Sequence, residues 1–195
     1  MNVAMRTLLL TVLWFLTLST PVAMAKDVGA ERVRLESEMA KLATRNAWTG
    51  VERTYVELQG LKTDLSSSAH VMGAQAAQDR GAMLLALERF RAAVATPQVD
   101  TPESVVNARA ALQTLESRYG VVQIDVEAPR IPALVRAGQM PFSQQERESI
   151  VAARETVASE RVFRGLLPIG RYMIDGEFFE IAPGQDHVVT VTKLD

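Results

Sequence analysis

The stretch AHVMGAQAAQDRGAMLLALERFRAAVATP, residues 69–97, decides the fold class. It reads as two helices folded back on each other at Gly81, because glycine takes the left-handed backbone that ends a helix at little steric cost. Met72, Gly73, Ala76 and Ala77 give the first helix a small-residue face. Leu84, Leu87, Phe90, the stem of Arg91 and Val94 give the second an apolar stripe at helical spacing. Small faces let backbones approach closely, and the one large ring fills the space that remains. Such a hairpin predicts a packing scaffold or binder and carries no reaction chemistry of its own.

Outward on the N-terminal side, residues 60–68 hold a glycine, an aspartate and three consecutive serines, which predicts a loop closing in a helix N-cap at Ser67 or Ser68. Before that loop, residues 28–61 favour helix. Leu35, Met39 and Leu42, then Trp48, Val51, Tyr55 and Leu58, follow one stripe. Either one long helix or two meeting near Asn46 fits; a mid-helix glycine such as Gly50 costs about 1 kcal/mol against alanine, which favours a break between residues 44 and 50. At this spacing Trp48 and Tyr55 are expected in the core rather than as an exposed aromatic site.

The first 25 residues stand apart from the core. Arg6 supplies a short basic region, residues 8–18 (LLLTVLWFLTL) an apolar run, and Ala23-Met24-Ala25 an A-x-A pattern before Lys26. This predicts a signal peptide cleaved at about Ala25 and hence an exported protein, periplasmic or extracellular. The apolar run is short of the roughly 20 residues a membrane span needs, and Pro21 follows it, so no transmembrane segment is expected in the mature chain.

On the C-terminal side, Thr101-Pro102-Glu103 predicts an N-cap, a proline at the first helical position and an early acid. Val105, Ala108, Leu112, Leu115 and Tyr119 then form an amphipathic stripe, and Gly120 is expected to stop the helix. From Gly120 the texture changes. Residues 121–127 (VVQIDVE) alternate, residues 132–138 (PALVRAG) make a second short strand candidate, and residues 187–194 (HVVTVTKL) alternate again. Asp175-Gly176 separates two five-residue runs, 170–174 and 177–181, as a type I′ turn does. That turn sets Tyr172 opposite Phe179, Met173 opposite Phe178 and Arg171 opposite Glu180. Ser143-Gln144-Gln145-Glu146 has the capping-box pattern and opens a helix over about 143–160, with Ile150, Val151, Ala153 and Val157 on its apolar side. The expected class is α+β: antiparallel helices over 26–119, then a β-rich domain with one helix over 120–195.

Taken together, Gly73, Ala76, Gly81, Ala86, Phe90, Ala93 and Pro97 resemble a tetratricopeptide repeat. The intervals from Gly81 to Ala86, Ala86 to Phe90 and Phe90 to Ala93 match that family's spacing; the span from Ala76 to Gly81 is longer than the family's by one residue, and Pro97 comes one residue early. The resemblance implies a short helical stack whose first helices line a concave face. On the central hairpin the matching outward positions are Ser67, His70, Ala74, Ala77 and Gln78, the candidate interaction groove. Residues 163–194, with GLLPIGRY leading into a hairpin and a Pro-Gly turn, look like the end of the small β-sandwich modules of the PEGA or carboxypeptidase-regulatory kind, which implies a non-catalytic binding or spacer domain.

Composition narrows the function further. The 195 residues are 48% hydrophobic and 23% charged, a globular balance. Net charge is −2, and −3 once the leader with its single arginine is removed, with basic residues such as Arg45, Arg53, Lys62 and Arg80 dispersed; nothing favours nucleic acid. There is no cysteine, so no disulfide or thiolate site. His70 and His187 are the only histidines and carry no metal-ligand spacing, so no metal and no cofactor are expected. A hydrolase would draw on Ser66, Ser67 or Ser68 with a histidine and Asp64 or Asp186, but no nucleophile elbow is present, and loop serines cap helices. Glu146 and Glu148 sit where a helix start favours acids. The reading is an exported, non-enzymatic interaction or scaffold protein of the bacterial cell envelope with a protein partner. The alternatives are a carbohydrate or peptidoglycan-binding module using Tyr172, Phe178 and Phe179 as an aromatic platform, and a hydrolase with an unrecognised site.

Overall fold

Helix ends divide the N-terminal half as the local chemistry requires. The computed structural model describes residues 27–96, 102–127, 131–141 and 143–192; the expected signal peptide and its cleavage pattern, Pro97 and Thr101 lie outside the described residues. Helix α1 (Val28–Ala43) is capped by Asp27, whose carboxylate accepts from the N–H groups of Gly29 and Ala30. It ends where Asn46 turns left-handed at φ 54°, with the Ala47 N–H donating back to the Leu42 carbonyl. Helix α2 (Trp48–Gly60) follows, so the long apolar stripe is two helices with the break at Asn46. Gly50 sits where a Cβ would stand 3.2 Å from Leu42, which makes it a close-approach point between α1 and α2.

Helix α3 (Ser67–Asp79) is capped by Ser66, which accepts from the Ala69 N–H, one residue earlier than the expected Ser67 or Ser68. Ser67 is inside the helix, buried, and its hydroxyl donates to the Ala93 carbonyl at 2.9 Å. At the turn, Gly81 has φ 74°, its N–H donates to Gln78 O, and the Ala82 N–H donates to Ala77 O. This paired closure needs a residue free to adopt positive φ, which glycine supplies. Helix α4 (Met83–Ala95) runs back along α3, and α5 (Pro102–Glu116) packs on α4 and α3. Ala74, Ala77, Ala86 and Ala93 have no exposed surface, and Phe90 is buried among them, while Ala76, also fully buried, faces the α1–α2 side. The small faces bring the helices together and the ring fills the gap, as their sequence predicts.

Helix α5 stops at Glu116, and Tyr119 and Gly120 already belong to strand β1 (Tyr119–Glu127). Gly120 therefore does not end the helix. A Cβ there would lie 2.6 Å from Ile181 Cγ2 and 2.9 Å from the Ala182 carbonyl oxygen, so the glycine is required by a close crossing of chains. Tyr119 still joins the helical core, but from the strand.

The C-terminal half holds β2 (Leu134–Ala137), α6 (Gln144–Glu160), β3 (Val162–Pro168), β4 (Gly170–Ile174), β5 (Glu177–Ile181) and β6 (Asp186–Thr192). Ser143 caps α6 as its sequence predicts. Two three-stranded sheets form, in orders β3-β1-β6 and β2-β4-β5; β1 runs antiparallel to β3 and parallel to β6. The β4–β5 hairpin has Asp175 at φ 52° and Gly176 at φ 97°, and its register pairs Tyr172 with Phe179, Met173 with Phe178 and Arg171 with Glu180, as read from the turn. The chain is thus α+β, with a helical N-terminal part and a β-rich C-terminal part containing one helix. No helix among the described residues is long and apolar enough to cross a membrane.

Three cores hold it together. One lies among α1, α2 and α3; one lies inside the β-rich part between the two sheets and α6. The third gathers α3, α4 and α5 with Tyr119 of β1 and Leu166 of β3, so the helices and the first sheet share apolar packing. Glu88 and Arg164, at 3.2 Å, add an exposed ion pair across the same junction.

Candidate functional site

A polar cluster sits at the centre of the helical part. Arg89 of α4 is 5% exposed, and its guanidinium donates to the Glu52 carboxylate of α2 and to the Gly73 carbonyl of α3 at 2.7 Å. The same group lies 4.1 Å from the centre of the Tyr55 ring, and Tyr55 shares a 2.9 Å hydrogen bond between its hydroxyl and His70 Nδ1. Glu52 also pairs with Arg80 at 2.8 Å. The hydrogen bond from Arg89 holds the Glu52 carboxyl below its usual range, while burial pushes the Tyr55 phenol up. Gly73 makes this possible, because a Cβ there would sit 2.5 Å from the Tyr55 ring. The cluster joins three helices through one cation. Arg89 and Glu52 pair largely out of solvent while Arg80 stands at the exposed edge, an arrangement that suits fixing the angles between the three helices.

The second feature is a cleft of about 410 Å³ between the two halves. The α3–α4 turn and Met83, Leu84 and Leu85 form one wall, Ser149 and Ala152 of α6 form the other, and residues 163–166 of β3 form the floor. Its lining is mostly apolar, and Glu88 and Arg164 stand at its mouth. Apolar concave sites between structural units with a few polar groups at the rim are where proteins most often take ligands.

Apart from His70, which joins the polar cluster through Tyr55, the candidate site residues expected from the sequence fall elsewhere. Of the five groove candidates, Ser67, Ala74 and Ala77 are buried against α4 and α5 and cannot line a groove, while His70 and Gln78 are half-buried. The outward reading failed because α3 is central: α2, α4 and α5 all pack on it, so its small residues are contacts on more than one side. Of the aromatic platform, Tyr172 is fully buried and stacks on half-buried Phe179 at 5.7 Å; only Phe178, 54% exposed, faces outward, with the Arg171 guanidinium over it at 4.2 Å. Strand alternation puts Tyr172 and Phe179 on the core face and Phe178 on the other, so the three never share a surface. The Tyr172 hydroxyl donates to Pro168 O, and burial pushes its pKa up to about 12.

The His70 ring meets the Tyr55 hydroxyl, and His187 Nε2 accepts from the Ala182 N–H. Ser66 and Ser67 are occupied by the α3 cap and the Ala93 carbonyl. Glu146 receives two hydrogen bonds from Arg118 and Glu148 one from Gln144. Among the described residues no group of three or more His, Asp or Glu is placed to hold a metal ion.

Arg89 and the β3 floor of the cleft escaped sequence reading. Ala86, Arg89 and Ala93 fall at i, i+3 and i+7, which puts the arginine on the close-packed face of α4; that spacing was the available signal. Comparison with protein-family models, curated proteins and solved structures finds no match to this chain.

Proposed function

We propose that this chain is an exported, non-enzymatic interaction or scaffold protein of the cell envelope, built as a tetratricopeptide-like helical stack against a β-rich module, and that its partner docks in the cleft between them. The observation that carries this reading is the cleft itself: an apolar, strand-floored groove at the junction of the two halves, open to solvent and rimmed by one ion pair. The succession of contacts from α1 to α3 and from α3 to α5, alongside those between sequential helices, supports the helical-stack part of the proposal. The leader sequence supports export.

Chemical crosslinking of the mature protein in intact envelope, followed by affinity capture, tests it. Ala152 is exposed on α6 at the cleft wall, so Ala152→Arg obstructs the groove without disturbing the core. The expected result is a reproducible adduct that Ala152→Ser keeps and Ala152→Arg loses. Equal capture by both variants, or none by the unaltered protein, contradicts docking in the cleft.

A further inference from the structure

The floor of the cleft identifies what fits it. Four consecutive residues of one strand, 163–166, line the groove. Side chains of a strand alternate between faces, so a run of neighbours lines one space when the strand presents its edge. Strand β3 is such an edge: among the described residues it pairs with β1 alone.

The direction of its backbone groups follows from the ladder. Val126 N–H donates to Arg161 O, one residue beyond the β1–β3 register, and in an antiparallel pair hydrogen-bonded positions alternate with non-bonded ones. Phe163, Gly165 and Leu167 therefore turn their N–H and C=O groups to β1. Val162, Arg164 and Leu166 turn theirs away. The opposite side of β1 agrees, since Val121 N–H donates towards β6, to Gln185 O, in the alternate phase. No hydrogen bond from a described residue reaches the outward groups of Val162, Arg164 or Leu166.

Resting on the proposed role of the cleft, we infer that its occupant is an extended, uncharged, apolar polypeptide segment that adds to β3 as a fourth strand of the β3-β1-β6 sheet. A row of outward N–H and C=O groups is matched by the backbone of another strand, whose own groups repeat at the same spacing. A segment in that position lies between α4 and α6, with alternate side chains against Leu85 and Ala152; a strand covered on both faces is apolar at consecutive positions rather than at every second one. The mouth carries one cation and one carboxylate already paired, Arg164 and Glu88, so its charge is balanced and complements a neutral segment over an acidic or basic one.

The probe is a synthetic peptide with the core Ser-Ile-Val-Leu-Val-Ser and a Gly-Ser-Lys-Lys solubilising tail, presented to the full mature protein. Three further peptides accompany it: one with aspartate at two core positions, and two N-methylated at alternate core amides in opposite phases. Amide hydrogen exchange at Val162 and Arg164 is read together with fluorescence anisotropy. The unmodified peptide is expected to slow exchange at those amides about tenfold or more, and one N-methylation phase, together with the aspartate peptide, to weaken binding by about the same factor. The other N-methylation phase, facing away from β3, leaves binding intact. Binding that Ala152→Arg abolishes but both N-methylation phases leave unchanged overturns strand addition and leaves cleft docking standing. Absence of binding by the unmodified peptide overturns the inference, while the envelope-capture experiment decides separately whether the cleft docks a partner.

Discussion

Replacing Gly73 by alanine sets helix propensity against packing, and the geometry decides the sign. Alanine in a helix interior gains about 1 kcal/mol over glycine. The added Cβ, however, stands 2.5, 2.7 and 2.9 Å from Cδ2, Cε2 and Cγ of Tyr55. That ring has little freedom to yield. It lies under the Arg89 guanidinium and is tied through its hydroxyl to His70. Overpacking a close-fitted core costs about 1–3 kcal/mol. If the ring slides, a desolvated cation–π contact of up to about 2 kcal/mol and a hydrogen bond of about 1 kcal/mol weaken as well. The net expectation is a loss of about 1–3 kcal/mol for Gly73→Ala, measured by urea unfolding followed with far-UV circular dichroism at neutral pH. Gly60→Ala is the matched control: nothing lies within 4 Å of its Cβ position, so it is expected to stabilise by up to about 1 kcal/mol. A Gly73→Ala protein as stable as Gly60→Ala refutes the claim that Tyr55 is wedged at this crossing.

Other consequences follow from the same cluster and from the sheet. Arg89→Ala leaves Glu52 with Arg80 alone and removes the link to Gly73 O, so a loss of about 2–4 kcal/mol is expected by the same unfolding assay, near the range for breaking a buried pair. A loss below about 0.5 kcal/mol contradicts a structural role for the cation. Because the folded protein holds the Glu52 pKa below its ordinary value of 4.5, the folded state binds fewer protons there; this contribution is complete above that value and is lost as pH falls through the folded pKa. Glu52→Gln is therefore expected to flatten the acid limb of the stability–pH profile below about pH 4.5, and an unchanged limb speaks against the Arg89 pairing. Gly120→Ala drives a Cβ against the Ala182 carbonyl, a backbone atom, so a loss of about 2 kcal/mol is expected by thermal unfolding; an unaltered melting temperature contradicts the close crossing.

What the sequence makes legible is largely local. Asp175-Gly176 dictates positive φ at two successive positions, and the hairpin register follows from that alone. The α1–α2 break, the Gly81 turn and the Ser143 cap are likewise settled within a few residues. Gly120 is ambiguous in sequence because a helix stop and a close chain crossing both favour glycine, and only the distant Ile181 and Ala182 distinguish them. Strand β3 carries Arg164 and Gly165 in its middle and owes its pairing to β1, some forty residues earlier, so no short pattern reveals it. The burial of Ser67, Ala74, Ala77 and Tyr172 was beyond local reading for a related reason: outwardness on α3 or β4 depends on which partners cover them, and those partners come from distant parts of the chain.

Whether a partner docks between the helices and the β-rich part is read most simply by site-specific photocrosslinking in living cells. A benzophenone amino acid placed at Ala152, on the cleft wall, is compared with the same residue placed at Ser37, exposed on α1 and remote from the cleft. Docking in the cleft predicts a discrete protein adduct from position 152 that is absent from position 37. Adducts that are identical from the two positions, or absent from both, contradict it.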